Sequence, residues 1–557
     1  MSLQFITGNS GNGKTKYLFN RIVKEAKANP RDNYLVIVPE QFTMQTQRQL
    51  VDLSENKAIM NIDVLSFKRL AYRVFDELGI TNLTVLEETG KNLVLRKLAA
   101  QEADKLGVIG RNLNRIGYIS EVKSLLSELV QYNISPEELG RYIASGRLSD
   151  TLSDKLKDVL VLYEAFEKFM QDKYITAEEI LNVLSNVAEE SAILRNSVIA
   201  FDEFTGFTPI QNQLIKKLFV ISKKIYVTLT IDCREDIFKS RGMQELFDMP
   251  KRTVKSLTEM AAFYGIEVEE PIILDKNYRL AENEELSFME QQLFRKRRCS
   301  FKKVPKHIHI DCLRDPKQEL TKIARRINEL VRNENLRYRD IAIVTGDVNI
   351  YAGYVREIFD KYNIPYFIDA TQEILFHPFI EFIRSIPDIA AQHFSADAVF
   401  RFLRCGFSEL LDSEIDVLEN YVLACGVRGK SAWDKKWVRL PKHKAGYDIE
   451  LLNQSREYIM ELLKPVYQVF SDKKSTVKDY VLAIYKLIVL LDIPDKLAKK
   501  EQALLDAGDQ TASKEYGQIY KIVMQLFEKY VAVLGDECMD AEEFTQILDA
   551  GLDAADV

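Results

Sequence analysis

Eight residues near the amino terminus, Gly8-Asn9-Ser10-Gly11-Asn12-Gly13-Lys14-Thr15, constrain this chain more than any other stretch. They follow the apolar run Leu3-Gln4-Phe5-Ile6. They precede a segment in which Leu18, Ile22 and Val23 recur on one helical face. A turn of the form G-x-x-x-x-G-K-[ST] between strand and helix suits phosphate. The glycines let backbone N–H groups turn inward around a β-phosphate, and Lys14 supplies positive charge for the β/γ-phosphates. The Thr15 hydroxyl can ligate Mg²⁺, and the helix start adds its positive dipole end. All eight residues are therefore expected contacts of a nucleoside triphosphate, taken as ATP with Mg²⁺.

Composition narrows the classes. The chain has 557 residues, enough for roughly three or four domains with full-sized cores. Net charge is −7, so nucleic acid would have to be met by local basic patches. No apolar run approaches the ~18 residues of a membrane span. The first apolar run gives way too early to a polar loop for a secretory leader, so a cytoplasmic location is expected. The six cysteines (Cys233, Cys299, Cys312, Cys405, Cys425 and Cys538) are scattered without a CxxC pair. They read as reduced thiols rather than as zinc or iron–sulfur ligands. His307 and His309 would share one face of a strand. They lack nearby carboxylate or cysteine partners, so a plain strand is preferred to a metal site.

Along the chain, Tyr34-Leu35-Val36-Ile37-Val38-Pro39 reads as a buried parallel strand stopped by proline, and Ile62-Asp63-Val64-Leu65 as a third. Residues 85–194 turn helical, with helices over 91–106, 119–132 and 156–170 and a capping box at Thr176 and Glu179. Strand character returns at 197–201 and 224–230. A second α/β region is expected from about 308, with strands at 308–312 and 340–345 flanking a helix over 319–332. From about 379 the chain reads as predominantly helical.

The strand at 197–201 runs into Asp202-Glu203. The carboxyl end of a parallel strand is where nucleotide chemistry is expected. Asp202 would hold Mg²⁺, directly or through water, and Glu203 could orient an attacking water. These two are the candidate catalytic residues, with Thr15 and Asp202 as metal ligands. Lys14 and Asp202 are 188 residues apart. A compact nucleotide kinase has no use for that gap, whereas a motor core with a helical domain inserted between its nucleotide motifs does.

Further motifs then fall in order. Asp202-Glu203-Phe204-Thr205-Gly206-Phe207-Thr208-Pro209-Ile210-Gln211 resembles the second motif of UvrD/RecB-like superfamily-1 DNA helicases, D-E-F-Q-D-x-x-P-x-Q, with Thr205-Gly206 replacing Gln-Asp. The stretch from Ile231 to Gly242 resembles the third, G-D-x-x-Q-S-I-Y-x-F-R-G, matching at Asp232, Ile237, Arg241 and Gly242. The γ-phosphate-sensing glutamine of that motif is Glu235 here. Asn277-Tyr278-Arg279 resembles the fourth, N-Y-R. Arg339-Asp340-Ile341-Ala342-Ile343-Val344-Thr345 resembles the start of a second motor domain without its usual arginine. Within that group the chain is most similar to AddB-type subunits of bacterial ATP-dependent helicase/nucleases. Val38-Pro39-Glu40-Gln41-Phe42-Thr43 and Val64-Leu65-Ser66-Phe67-Lys68-Arg69-Leu70-Ala71 add to the likeness, which extends over essentially the whole chain.

This resemblance implies an α/β fold of RecA-like P-loop motor domains with inserted helical domains. The expected division is 1–84 with 195–275 as the first RecA-like domain and 85–194 as an inserted helical domain. Residues 276–378 would begin the second RecA-like domain, and 379–557 would be a helical insertion. It implies that Arg279 reaches the γ-phosphate, and that the partner is an AddA-type helicase/nuclease chain in a heterodimer acting on double- and single-stranded DNA. It implies a role in double-strand break repair by homologous recombination. AddB-type proteins are roughly twice this length, so the chain reads as an amino-terminal part; the nuclease domain and its iron–sulfur cluster would lie in the missing carboxyl-terminal part. Glu235 puts a carboxylate where an amide would meet the γ-phosphate, and the short stretch before the first strand is expected to leave no room for the upstream glutamine that reads adenine in these helicases. Asp202 and Glu203 are thus expected to be impaired: nucleotide binding with little hydrolysis.

In superfamily-1 motors the loops after the second and third strands meet single-stranded DNA. Here they carry amide, hydroxyl, aromatic and guanidinium groups suited to stacking and base edges. Gln41, Thr43, Phe67, Arg69, Tyr72 and Phe207 are the expected base contacts, and the AddB-type resemblance implies recognition of the regulatory Chi sequence. Phe67 and Tyr72 taken alone fit a core position equally well. Arg295-Lys296-Arg297-Arg298 with Lys302-Lys303 is a dense basic cluster. Trp433-Asp434-Lys435-Lys436-Trp437-Val438-Arg439, followed by Lys442 and Lys444, interleaves aromatics with charge. Either could meet duplex phosphates, although a solvated surface is the commoner use of such runs. Competing readings are an autonomous ATP-driven helicase and a small-molecule P-loop kinase.

Overall fold

Four apolar runs alternate between two cores. Leu3 and Phe5, Leu35 and Ile37, Ile199 and Phe201, and Ile225, Val227 and Leu229 enter one hydrophobic cluster. Ile6, Tyr34, Val36, Val38, Val198, Ala200 and Tyr226 enter another. Period-two alternation between two cores is what a sheet covered on both faces requires, and it explains why these strands read as unbroken apolar runs. The chain is described here by a computed structural model covering residues 1–81, 85–86, 88–108, 118–146, 148–171, 174–295, 299–368, 374, 376–441, 447–472 and 474–553.

It divides into two compact units. The first comprises residues 1–86, 124–148 and 167–311, and the second residues 87–123, 149–166 and 312–557. The first is an α/β unit around a parallel sheet. Its strands are β1 (Ser2–Gly8), β2 (Tyr34–Ile37), β3 (Ile62–Leu65), β6 (Val198–Phe201), β7 (Lys224–Thr230), β8 (Glu267–Val268) and β9 (Ile272–Leu274). A separate parallel pair joins β4 (Val85–Leu86) to β5 (Ile175–Thr176). The sheet order is β3-β2-β6-β7-β1-β8, with β9 also against β1. Register places Gly8 opposite both Thr230 and Leu274, and Ile37 opposite Phe201. The carboxyl ends of these strands therefore share one edge of the sheet.

Helices cover both faces. On one, α1 (Lys14–Ala28) buries Leu18, Phe19, Ile22 and Ala26, and α2 (Thr43–Leu53) buries Leu50. On the other lie α3 (Phe67–Leu78) and the helices Ile180–Val187, Pro209–Ile221 and Asp248–Phe263. The start of α3 is set by Ser66, whose hydroxyl accepts from the Arg69 amide at 3.3 Å, and its end by left-handed Gly79. Two residues of the second motif, Pro209 and Gln211, prove to be helix-starting devices. Pro209 opens its helix, and Gln211 exchanges hydrogen bonds with Thr208 in a capping box. The expected reciprocal bonds between Thr176 and Glu179 are likewise present.

The second unit is helical. Its larger core gathers Phe379, Phe382, Trp433, Tyr480 and Tyr530 with Leu93 of the helix Glu88–Gln101. Arg96 of that helix donates to the Gln546 carbonyl at 2.9 Å, and Lys97 pairs with Glu537 at 2.6 Å. A smaller core joins the helices Pro316–Asn333 and Asn349–Lys361 through Leu320, Ala324, Ile358 and Phe359.

Two expected strands do not form. Residues 308–312 and 341–345 pair into no sheet, and residue 340 closes a short 3₁₀ turn. Ile310 is 93% exposed and Val344 92%. An apolar β-branched run becomes a strand only when a neighbour takes its backbone N–H and C=O groups, and none does so among the described residues. His307 and His309 accordingly share no strand face, and the His307 amide donates to Glu285.

Candidate nucleotide site and nucleic-acid face

The Gly8–Thr15 loop leaves β1 at the carboxyl edge of the sheet and enters α1 directly. Gly11 and Gly13 sit at φ of 88° and 79°, where L side chains are disfavoured. A Cβ on Gly11 would also lie 2.7 Å from the Asn277 side-chain oxygen. No side chain caps the start of α1, so its first N–H groups stay available to an anion.

Two asparagines pin the loop. Asn9 donates to Glu290 at 2.8 Å and accepts from the Cys233 amide at 3.2 Å, while Asn12 donates to the Leu274 carbonyl at 2.6 Å. Lys14 folds back and donates to the Gly8 and Asn9 carbonyls at 3.1 and 3.0 Å. Burial lowers its pKa, Glu203 and Asp202 oppose that shift, and Arg279 adds to it.

Asp202 is 1% exposed at the end of β6. The Thr228 hydroxyl, on the neighbouring β7, donates to its Oδ1. Its Oδ2 is buried and has no hydrogen-bond partner among the described residues. Burial raises the Asp202 pKa, against the pull of the Thr228 hydroxyl. Glu203 adopts φ 64°, a left-handed backbone uncommon for a non-glycine residue, and accepts from the Thr15 hydroxyl at 3.2 Å. An orphaned carboxylate oxygen and a hydroxyl at a helix start are the oxygen ligands that Mg²⁺ takes when a nucleotide supplies the rest. Among the described residues no three His, Cys, Asp or Glu side chains converge on a metal position. The residues therefore fit a metal carried with a phosphate and not a protein-only cage.

The 277–279 segment lies against the same loop. Asn277 donates to the Ser10 carbonyl at 2.9 Å, and the Tyr278 amide donates to the Gly11 carbonyl at 3.0 Å. The Arg279 guanidinium reaches the Ser10 hydroxyl at 3.5 Å. In the third motif, Asp232 is buried and grips Arg234 at 2.6 Å and Arg295 at 2.9 Å. Burial would raise its pKa, but the two guanidiniums and the Arg234 amide hold it at about 2. Glu235 pairs with Lys251 at 2.6 Å, and Lys251, which is 4% exposed, also meets Glu245 at 3.2 Å. The expected repulsion by Glu235 is thus countered by a buried ammonium, which no sequence motif signalled.

The six expected base contacts separate by burial. Gln41 and Arg69 are exposed, Tyr72 is exposed with its ring edge on Phe75, and Phe207 is half-buried. Thr43 is buried and donates to the Glu40 carbonyl at 3.0 Å. Phe67 is also buried, stacked on Phe201 with its edges against Phe204 and Phe207. Thr43 is turned into the fold at the start of α2, and Phe67 because the α3 apolar spacing of 67, 70, 71 and 74 includes it. The same helix exposes Lys68 and Arg73 beside Arg69 and Tyr72. Arg73 belongs to none of the motifs, although it lies one turn from Arg69.

The other basic stretches change character. In the first, Arg295 is spent on Asp232 and on the Phe247 ring, Lys303 pairs with Glu284, and residues 296–298 lie outside the described residues. In the second, Trp433 and Trp437 are buried and meet edge to face, leaving exposed Lys435, Lys436 and Arg439 without an aromatic platform among the described residues. Lys442 and Lys444 lie outside the described residues.

The ADDB N-terminal family matches residues 5–290. The chain is 38% identical over 567 residues to the B subunit of the ATP-dependent helicase/deoxyribonuclease from Lachnoclostridium phytofermentans, covering 100% of this chain and 49% of that protein. The corresponding B subunits from Clostridium acetobutylicum and Clostridioides difficile are each 31% identical over 99% of this chain, and it covers 48% and 49% of them. The chain thus spans about half the length of these relatives. Among its described residues, no helix is long and apolar enough to cross a membrane.

Proposed function

The chain belongs to the ADDB N-terminal family, and on that premise we propose that it is the helicase-like part of the B subunit in an ATP-dependent DNA helicase/exonuclease. It would work beside an AddA-type motor in double-strand break repair by homologous recombination. One observation carries the reading. The Gly8–Thr15 loop, Asp202 with Glu203, and Asn277 to Arg279 meet at one edge of a parallel sheet, which supports reading this unit as a first RecA-like motor domain.

Magnesium nucleotide, when bound, would supply the phosphate charge that this edge is shaped to receive. Lys14 would leave the Gly8 and Asn9 carbonyls for the phosphates, and Thr15 would exchange Glu203 for the metal. Asp202 Oδ2 would gain the partner it lacks. Arg279, already at Ser10, would turn to the γ-phosphate. The DNA part of the reading rests on Gln41, Arg69, Tyr72 and Phe207, with Thr43 and Phe67 shaping that face from beneath. Recognition of a Chi sequence belongs to the same proposal.

We read the nucleotide site as one that binds with little turnover. Labelled single-stranded DNA titrated with and without ATP tests the binding. A robust DNA-stimulated ATPase from this chain, abolished by Lys14→Ala, would overturn the low-turnover part. The Lys251–Glu235 pair favours that second reading, an active helicase, because it removes the charge repulsion expected of Glu235.

A further inference from the structure

We propose that Glu40 is a built-in competitor for single-stranded DNA, occupying Arg69 and setting how tightly every strand is held. The inference rests on the DNA-binding reading above. Glu40 lies in the turn before α2, and its carboxylate reaches the first turn of α3. There Oε2 accepts from the Ser66 hydroxyl at 3.2 Å, and Oε1 faces Arg69 Nε at 3.7 Å. Ser66 is buried and its oxygen also receives the Arg69 amide, so the carboxylate is registered to the helix itself. A carboxylate held by a hydroxyl and a guanidinium presents the charge and acceptors of a phosphate.

On the same face Lys68 and Arg73 are exposed and carry no carboxylate partner among the described residues. Arg69 faces a carboxylate in a pair half open to solvent, while Lys68 and Arg73 face none among the described residues. A strand that uses Arg69 has to displace Glu40 first. Where Arg69 meets a phosphate, which every strand carries, that displacement costs the same whatever the bases, so Glu40 lowers affinity for all such strands alike and leaves their order of preference untouched. Such a surface holds passing DNA loosely without losing discrimination.

The test is fluorescence anisotropy with labelled oligothymidylate and a panel of mixed-sequence strands over a salt series. The proteins are wild type, Glu40→Gln, Arg69→Ala and the double variant. Glu40→Gln is expected to bind every strand roughly two- to fivefold tighter, the usual worth of an exposed ion pair. The ratios between strands should stay constant. The log–log salt slope should stay close to that of wild type, because Arg69 meets the same phosphate in both proteins, whereas Arg69→Ala should flatten it by about 0.7. In the Arg69→Ala background the Glu40 change should do nothing. If Arg69→Ala binds like wild type, the DNA reading of this face fails and the inference with it. If Arg69→Ala weakens binding but Glu40→Gln leaves affinity unchanged, the Glu40 inference alone fails. Should circular dichroism show Glu40→Gln misfolded, Glu40→Asp, whose shorter chain withdraws the carboxylate from Arg69, gives the same two outcomes.

Discussion

Lys251 closes an ion pair with Glu235 at 2.6 Å from inside the helix Asp248–Phe263. The pair ties the third-motif loop to the packed side of the sheet. Burial by itself would lower the Lys251 pKa, but Glu235 and Glu245 outweigh it and raise the value. Its contribution to stability is therefore complete below the ordinary lysine range and fades only as pH climbs through the raised value. Lys251→Met should cost roughly 3 kcal/mol, toward the low end for a broken buried pair because Glu235 is about one-third open. Adding Glu235→Gln should recover part of that loss in a urea melt. A double variant no more stable than Lys251→Met would show that the pair is not what holds the loop.

Asp232 makes the opposite prediction for acid. Its carboxyl is held at about 2, below the ordinary 3.8. A depressed carboxylate adds stability that is present above its unfolded pKa and lost as pH falls through the folded one. The α/β unit should thus weaken most steeply between about pH 4 and pH 2. Asp232→Asn should lower stability at neutral pH and flatten that acid limb, read by circular dichroism against pH.

Asp202→Asn should act with opposite signs on the nucleotide-free and loaded protein. The raised pKa means that burying the Asp202 carboxylate works against the fold when no ligand is bound. Removing the charge should raise the melting temperature without ligand, by roughly 2–4 °C for each kcal/mol recovered in a domain of this size. The same variant should lose most of the additional stabilisation given by Mg²⁺ and nucleotide. Calorimetry with and without them reads both effects, and equal ligand-induced shifts in the two proteins would remove Asp202 from the metal site.

Phe67 and Tyr72 should part company. Phe67→Ala opens a hole under Phe201 and Phe207 and should cost about 3–5 kcal/mol. Tyr72→Ala, on the exposed side of α3, should change stability little and weaken single-strand binding by about 1–3 kcal/mol if a base stacks there. Matched denaturant melts and DNA titrations separate the two. Tyr72→Ala with unchanged DNA affinity would exclude it from the face.

The strands of the sheet were legible because burial on both faces writes itself into consecutive apolar residues, as in Tyr34 to Val38. The Gly8–Thr15 loop was legible because its glycines and lysine answer to a local backbone need. The 308–312 and 340–345 runs looked the same in sequence and formed no strands, since pairing depends on a neighbour the run does not encode. The exposure of Arg73 beside Arg69 and the pairing of Glu40 with Arg69 left no trace in sequence, because an exposed charge on a helix or turn has no pattern until its neighbours are in place.

From its sequence alone this chain was committed to a parallel α/β core, a glycine-rich loop entering a helix, and an acidic pair at a strand end. Those are properties of short segments, set by backbone freedom and by periodic burial. Tertiary structure decided which aromatics face water, with Phe67, Trp433 and Trp437 turned inward and Tyr72 outward. It also decided where charge goes, giving Glu235 to Lys251, Asp232 to Arg295 and Glu40 to Arg69. Each of these partners comes from a different segment of chain, 16, 63 and 29 residues away in sequence. Only the packing of one segment on another brings such groups within reach, so no local pattern can announce them.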